Sequence, residues 1–287
     1  MNAELIAVVL AVHDDTPMVR TLEEGRSLPS GPLRTTHASL QKGVRDWVEQ
    51  KTGFHLGHVE QLYTFVDPPC TDGTRVTRIS YMALTRVGAD TERWKSWYDY
   101  LPWEDRKTTA SLPMVAVLEE KLLSWAGNDH LRQQRCAFNF GLDGMAWDDE
   151  LVLQRYELMW EAGLVPEAPH FVGGVNFGRS MTSNSRRILA TSIARLRAKI
   201  KYRPLVFELL PEIFTLWELQ RTVEAIAGRA VHKQNFRRLI LHQNLVEKTT
   251  GLSSSSKGRP AQLFRFRREL VGSRRFMGSK LPLVKSS

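Results

Sequence analysis

Cysteine is scarce in this chain, with only Cys70 and Cys136 among 287 residues. Two thiols without metal-ligand spacing leave no basis for a disulfide framework or a thiolate metal cage, and they suit a reducing cytoplasm. The 8 histidines are scattered and never spaced HxxxH. Long apolar runs are also missing: no stretch of 18 apolar residues occurs, so no membrane span is expected. Neither Lys nor Arg precedes the first apolar run, Leu5–Val12, and no small-residue cleavage site is evident after it. That run reads as a buried strand rather than a signal peptide. Acidic residues are what the last third lacks. Of 40 Lys+Arg in the chain, 22 fall between Arg186 and Ser287, against only 6 of the 31 Asp+Glu. The net charge of +9 therefore joins a mildly acidic body to a strongly cationic module. Phosphates supply much of the free energy of binding to nucleic acid, so such a module is a candidate reader of duplex DNA.

The first part of the chain mixes strands and helices. A Pro/Gly/Ser loop, Ser27–Pro32, leads into a helix on which Leu40, Val44, Trp47 and Val48 recur at helical spacing, with Gly53 as its stop. Val59–Val66 and Arg75–Thr85 alternate as strands around an Asp72-Gly73 turn. Leu112–Trp125 has helical periodicity through Val115, Leu118, Leu122 and Trp125. Trp147–Gly163 is a further amphipathic helix, with Asp148 and Asp149 at the positive end of its dipole. Its apolar residues cover more of its circumference than one packing face needs, which marks it as a candidate inter-domain or inter-subunit contact. Pro166–Ser185 is rich in Gly, Pro, Asn and Ser and reads as a poorly ordered linker. No internal repeat is visible.

The C-terminal module has its own pattern. Leu189, Ile193, Leu196 and Ile200 line one face of a helix over 186–202 that Pro204 ends. Thr215-Leu216-Trp217-Glu218 forms a capping box, with Phe214 and Leu219 at the staple positions. The helix it starts closes at Gly228, and a second helix over 233–243 buries Phe236, Leu239 and Ile240. Two strand-like runs follow, Leu245–Thr249 and Ala261–Phe266, joined by a basic, serine-rich loop. Helix, helix-turn-helix and hairpin together make a winged helix.

In such a module the second helix of the pair enters the major groove. Lys233, Gln234, Asn235, Arg237 and Arg238 are its expected outward residues. Arg can bridge guanine O6 and N7, and Asn or Gln can bridge adenine N6 and N7. Asn235 has a competing role as a brace of the turn. Lys233 is expected at phosphate, as are Thr215, Gln220 and Arg221 at the first helix, while Lys257 and Arg259 on the wing can reach the backbone or the minor groove. The competing account of Arg237-Arg238 is a solvated helix face.

Three segments carry a family likeness: Phe207–Pro211 with Phe214–Leu216 and Leu219-Gln220, then Asn235–Arg238, then Gly258–Ala261 with Phe264–Phe266. They resemble the winged helix of the Nudix-related transcriptional regulators of NAD metabolism. Leu28–Pro32, Arg45–Phe54 and Glu60–Phe65 look closest to the alphaproteobacterial regulator of NAD biosynthesis in that group. The resemblance implies an α/β (α+β) Nudix-like body, repression of NAD biosynthesis or salvage genes, and an adenine-nucleotide effector such as ADP-ribose, NAD or ATP. It places that effector in the body, with Arg45, Glu49, Tyr63 and Phe65 as candidate contacts, although a solvated helix surface also accounts for Arg45 and Glu49. The Nudix metal motif itself is eroded. Anchored on Gly53, its two metal-binding Glu positions hold Gln50 and Lys51; anchored on Arg45, they hold Glu49 and Gln50. An amide or an ammonium cannot replace a carboxylate beside a hard dication. Neither bound metal nor another cofactor is therefore expected, and hydrolysis is not.

The expected layout is a Nudix-like sensing and dimerisation domain over 1–165, a linker over 166–185, a winged helix over 186–270 and a basic, disordered tail over 271–287. The expected partners are double-stranded operator DNA, the nucleotide effector and a second copy of the chain. Two other readings stay open: an active Nudix-type pyrophosphohydrolase of nucleoside diphosphate derivatives, and a nucleic-acid or scaffold protein without sequence preference.

Overall fold

A computed structural model describes residues 2–53, 56–66, 73, 75–88, 91–107, 111–253 and 260–267. Its body is a mixed sheet built on β1 (Asn2–His13), whose Leu5–Ala11 run is buried throughout, as a strand covered on both faces requires. β1 pairs in parallel with β5 (Val76–Leu84) and antiparallel with β2 (Thr16–Arg20) and β3 (Ser30–Pro32). β4 (Val59–Val66) and β6 (Trp94–Ser96) complete it in the order β4-β5-β1-β2-β6. The β1–β2 hairpin turns on Asp14 and Asp15, both at positive φ, the two-residue geometry that matches strand twist.

α1 (Leu40–Thr52) covers one face. The Ser39 hydroxyl accepts from the Lys42 amide at 3.1 Å to start it, and Gly53 at φ 70° ends it. Val44, Trp47 and Val48 pack on Leu5, Ala7, Val9 and Tyr81. Gly31 in β3 admits the Trp47 indole where a side chain would stand. The other face, with Ile6, Val8, Leu10, Met82 and Leu84, meets α5 (Ser185–Ile200), on which α4 (Val152–Glu161) packs, and shares one apolar cluster with α2 (Leu112–Ala126) and α3 (His130–Phe140).

The C-terminal module comprises β7 (Ile213–Thr215), α6 (Leu216–Ala227), α7 (Lys233–His242), β8 (Val246–Leu252) and β9 (Gln262–Phe266), its sheet ordered β7-β9-β8. Phe214, Leu219, Phe236 and Ile240 belong to the same apolar cluster as the body. One core thus runs through both halves.

That continuity corrects the expected layout. Residues 166–185 are not a loose linker: Ala168, Phe177 and Met181 are buried, and the Arg186 side chain is buried behind them. α5 packs on α4 and touches β1, β4 and β5, so it is part of the body and not the first helix of the reader. α4 is shorter than the helix expected over 147–163, and Val152, Tyr156, Leu158 and Met159 are all buried within this chain. Its apolar surplus is absorbed by α3 and α5 and does not call for a second subunit. Within Ser27–Pro32, expected as loop, residues 30–32 are strand β3. The basic tail over 271–287 lies outside the described residues.

Candidate nucleic-acid interface

α6 and α7 form the helix-turn-helix, and the capping box is present in full. The Glu218 amide donates to Thr215 Oγ1 at 3.1 Å, and the Thr215 amide donates to Glu218 Oε2 at 2.6 Å. Gly228 ends α6 at φ 71°. Phe236 and Ile240 point α7 into the core. With about 100° between successive residues, Gln234 and Arg238 then project roughly opposite that buried side. Arg237 and Lys233 lie on one flank, Asn235 and His242 on the other. All six are exposed. β8 and β9 pair as a hairpin, and Lys257 and Arg259, expected on the wing, fall outside the described residues.

Three residues expected at the DNA are engaged elsewhere. Thr215 is buried, and its hydroxyl also donates to Glu218 Oε2 at 2.9 Å. Gln220 is buried and braces the turn, donating to the Val231 carbonyl at 3.0 Å and to Glu224 Oε1 at 2.9 Å. Arg221 Nε donates to Asp15 Oδ2 at 2.8 Å, so its charge is directed at the β1–β2 turn. The expected count of free cations falls as well. Lys199 pairs with Glu60 at 2.6 Å, Lys201 with Glu150 at 2.6 Å, Arg187 with Glu157, and Arg197 with Glu104. The basic excess after residue 186 is thus partly neutralised by the acidic excess before it, and among the described residues Lys233, Arg237 and Arg238 of α7 stand exposed together.

The four candidate effector residues do not converge. Arg45 belongs to α1, where its guanidinium donates to the carbonyls of Leu56 and Gly57 at 2.5 and 2.8 Å and ties down the following loop. Glu49 lies one turn further along α1. Tyr63 and Phe65 pack on the core of the opposite sheet face, with ring centroids 5.3 Å apart. A register shift in β4 between Gln61 and Thr64 puts them there. Phe65 borders a cleft, about 280 Å³ in volume, together with Leu28, Ser30, Arg78 and Asn184 at the start of α5. Glu4 accepts from Ser30 Oγ at 2.6 Å and pairs with Arg78 beside it.

The Nudix resemblance implies a divalent metal on α1, and the donors there do not fit one. Glu49 is followed by Gln50 and Lys51, and among the described residues no group of three or more His, Cys, Asp or Glu could hold a metal. No helix of the described residues is long and apolar enough to cross a membrane.

A mixed sheet between helices, continuous with a capped helix pair and a hairpin, defines an α/β body carrying a winged helix-turn-helix. Residues 206–266 match the NrtR DNA-binding winged helix domain. The ADPR responsive transcriptional repressor NtrR of Acinetobacter baylyi is 42% identical over 79 residues, 28% of this chain. The chain thus spans about a third (31%) of that relative's length. The fold resembles Shewanella oneidensis NrtR complexed with a 27mer DNA, with TM-score 0.60 and 18% identity over 99% of both chains. It also resembles a MutT/nudix family protein from Enterococcus faecalis, with TM-score 0.53 and 15% identity over 93% of this chain and 88% of that one. The architecture is therefore a Nudix-like body with a C-terminal winged helix.

Proposed function

We propose that this chain is a transcriptional repressor: its winged helix reads operator DNA, and its Nudix-like body senses an adenine nucleotide of NAD metabolism without hydrolysing it. The observation that carries this reading is the outward face of α7, where exposed Gln234, Asn235 and Arg238 offer base-reading groups, with Arg237 beside them for phosphate, on a helix shaped for the major groove. The match to a DNA-binding winged helix domain supports it. So does the likeness to a repressor named as ADPR responsive, which makes ADP-ribose the first effector to test, ahead of NAD and ATP.

The cleft beside Phe65 is the favoured effector site. Phe65 offers a ring face for a base, and the positive end of α5 suits a phosphate group. Asn184 at that helix start makes no side-chain cap bond of its own. In this reading Phe65 is retained from the expected contacts, while Arg45 and Glu49 support the fold of α1. The active species is a dimer, because one winged helix buries too little surface for high specificity and paired readers span two half-sites. Leu131 and Phe138, seven residues apart on the outward side of α3, replace α4 as the candidate contact between subunits, at 72% and 57% exposure.

Gel-shift titration on the chain's own upstream region and on promoters of NAD-synthesis genes, with ADP-ribose, NAD or ATP added, tests the reading. Selective binding that one of these nucleotides shifts is expected; equal binding to every duplex overturns it. The likeness to MutT/nudix proteins keeps a hydrolase as the second reading. Mg²⁺-dependent turnover of ADP-ribose at about 1 per second or faster would favour that alternative.

A further inference from the structure

The turn between α6 and α7 is held by body residues from four separate segments. Tyr98 donates its hydroxyl to the Ala225 carbonyl at 2.7 Å. Arg197 Nε, from α5, donates to the Ile226 carbonyl at 2.8 Å. The Arg106 amide donates to the Gly228 carbonyl at 2.7 Å. Asp149 lies 3.6 Å from Arg229 Nε. These contacts take up carbonyls that the end of α6 would otherwise leave without partners. A side chain at Gly228 would fall on the Glu104 carbonyl oxygen, so the turn and the body also touch backbone to backbone.

Glu104 stands at the centre of this grip. It is fully buried, as are the Arg155 and Arg197 side chains it joins. Arg155 donates to both of its carboxylate oxygens, at 2.6 and 2.9 Å, and also to the Asn139 and Asp148 carbonyls. Arg197 donates to the same carboxylate and to the Asp149 carbonyl at 3.2 Å. Two guanidiniums on one buried carboxylate leave little freedom of orientation, because every donor that turns away loses a charged partner in a medium of low dielectric. Burial works against the Glu104 charge, but the two arginines outweigh it and hold its carboxyl below the usual carboxylate range. Burial also pushes the Tyr98 hydroxyl up to about 12, so it remains a donor.

We infer that Glu104 is a positioning residue for DNA readout: through Arg197 it sets the α6–α7 turn, and the turn sets the direction in which α7 presents Gln234 and Arg238. The inference rests on the reading of the module as a duplex reader. It predicts a separation of effects, because base readout depends on the angle of α7 whereas phosphate attraction tolerates small misplacement.

The test uses the full chain and two variants. Glu104→Gln keeps the shape and removes the charge; Tyr98→Phe removes one hydroxyl from the same grip and leaves the ion cluster whole. Operator and random-duplex affinities are measured together with amide hydrogen exchange over 225–231. Glu104→Gln is expected to weaken operator binding about tenfold, to leave random-duplex binding within about twofold, and to speed exchange over the turn about tenfold. Tyr98→Phe is expected to move the same three readouts in the same direction, by about threefold where they change. A merely structural role would lower the melting temperature and leave the operator-to-random ratio of the folded protein unchanged, and that result overturns the inference. If Glu104→Gln does not fold, Tyr98→Phe decides by the same criteria. If the parent binds all duplexes equally, the repressor reading fails on its own, and turn exchange unchanged in the variants then overturns the grip separately.

Discussion

Arg221 Nε meets Asp15 Oδ2 at 2.8 Å, joining the first helix of the reader to the tip of the first hairpin across 206 residues of sequence. Both side chains are about one-third exposed, at 31% and 33%, and Arg221 also lies 3.5 Å from Glu224. An arginine held in this way is a docking contact. Arg221→Ala is expected to cost about 0–1 kcal/mol of stability, as exposed ion pairs do. It is also expected to leave the salt dependence of duplex binding unchanged, read as the slope of log affinity against log salt. A slope lowered by about one would return Arg221 to the phosphate contacts.

Arg237 and Arg238 are expected to separate in role. Phe236 and Ile240 fix the inward side of α7, which leaves Arg238 facing out and Arg237 on the flank. Arg238→Ala is expected to lose about 1–3 kcal/mol on the operator and to relax base preference at one position. Arg237→Ala is expected to weaken all duplexes alike and to lower the salt slope by about one. Competition against single-base operator variants distinguishes the two, and the reverse assignment would mean that α7 docks rotated from this geometry.

The Glu104 cluster carries a pH signature. Its carboxyl is held below the ordinary 4.5 by the two arginines, against burial. A group depressed in the native state contributes stability above its unfolded value and loses that contribution as pH falls through the native value. The urea midpoint of the parent is therefore expected to drop below about pH 4.5. The gap between the parent and Glu104→Gln should be wide near neutrality and narrow in acid. A gap independent of pH would show that the carboxylate is not the source of the difference.

Phe138 is 57% exposed on α3, on the same outward stripe as Leu131. Phe138→Glu is expected to shift the chain toward monomer in sedimentation and to weaken operator binding more than random-duplex binding, because only a paired reader spans two half-sites. A dimer unchanged by Phe138→Glu and Leu131→Glu together would place the subunit contact elsewhere.

The reader was legible because its signals are local. The Thr215–Glu218 box, the Gly228 stop and the alternation around Phe264 each lie within a few residues, and all are present in the structure. α3 escaped notice because its buried Cys136, Ala137 and Phe140 are interleaved with exposed Leu131 and Phe138, which blurs the helical period. The buried arginines were harder still. Arg197 follows Ile193 by four residues and so lies on the apolar stripe of α5, a visible hint. What makes burial tolerable is Glu104, 93 residues away, and nothing near either position announces the other. The effector foursome separated for a similar reason. Arg45 and Tyr63 lie close in sequence, yet they fall on opposite faces of a sheet whose register shift is not written in the alternation.

The winged-helix likeness begins at residue 206, the natural place to cut for a chimera. The core does not break there. A foreign reader grafted at that junction would need an arginine for Asp15 and would have to set its own turn carbonyls on Tyr98 and Arg197; otherwise this body would keep a buried guanidinium aimed at a carbonyl that had moved. Exchange of whole readers between relatives is thus disfavoured by architecture, whereas change at the solvent side of α7 is free of it. A new operator preference is therefore expected to be more easily reached by point substitution at positions 234 and 238 than by exchange of the whole module.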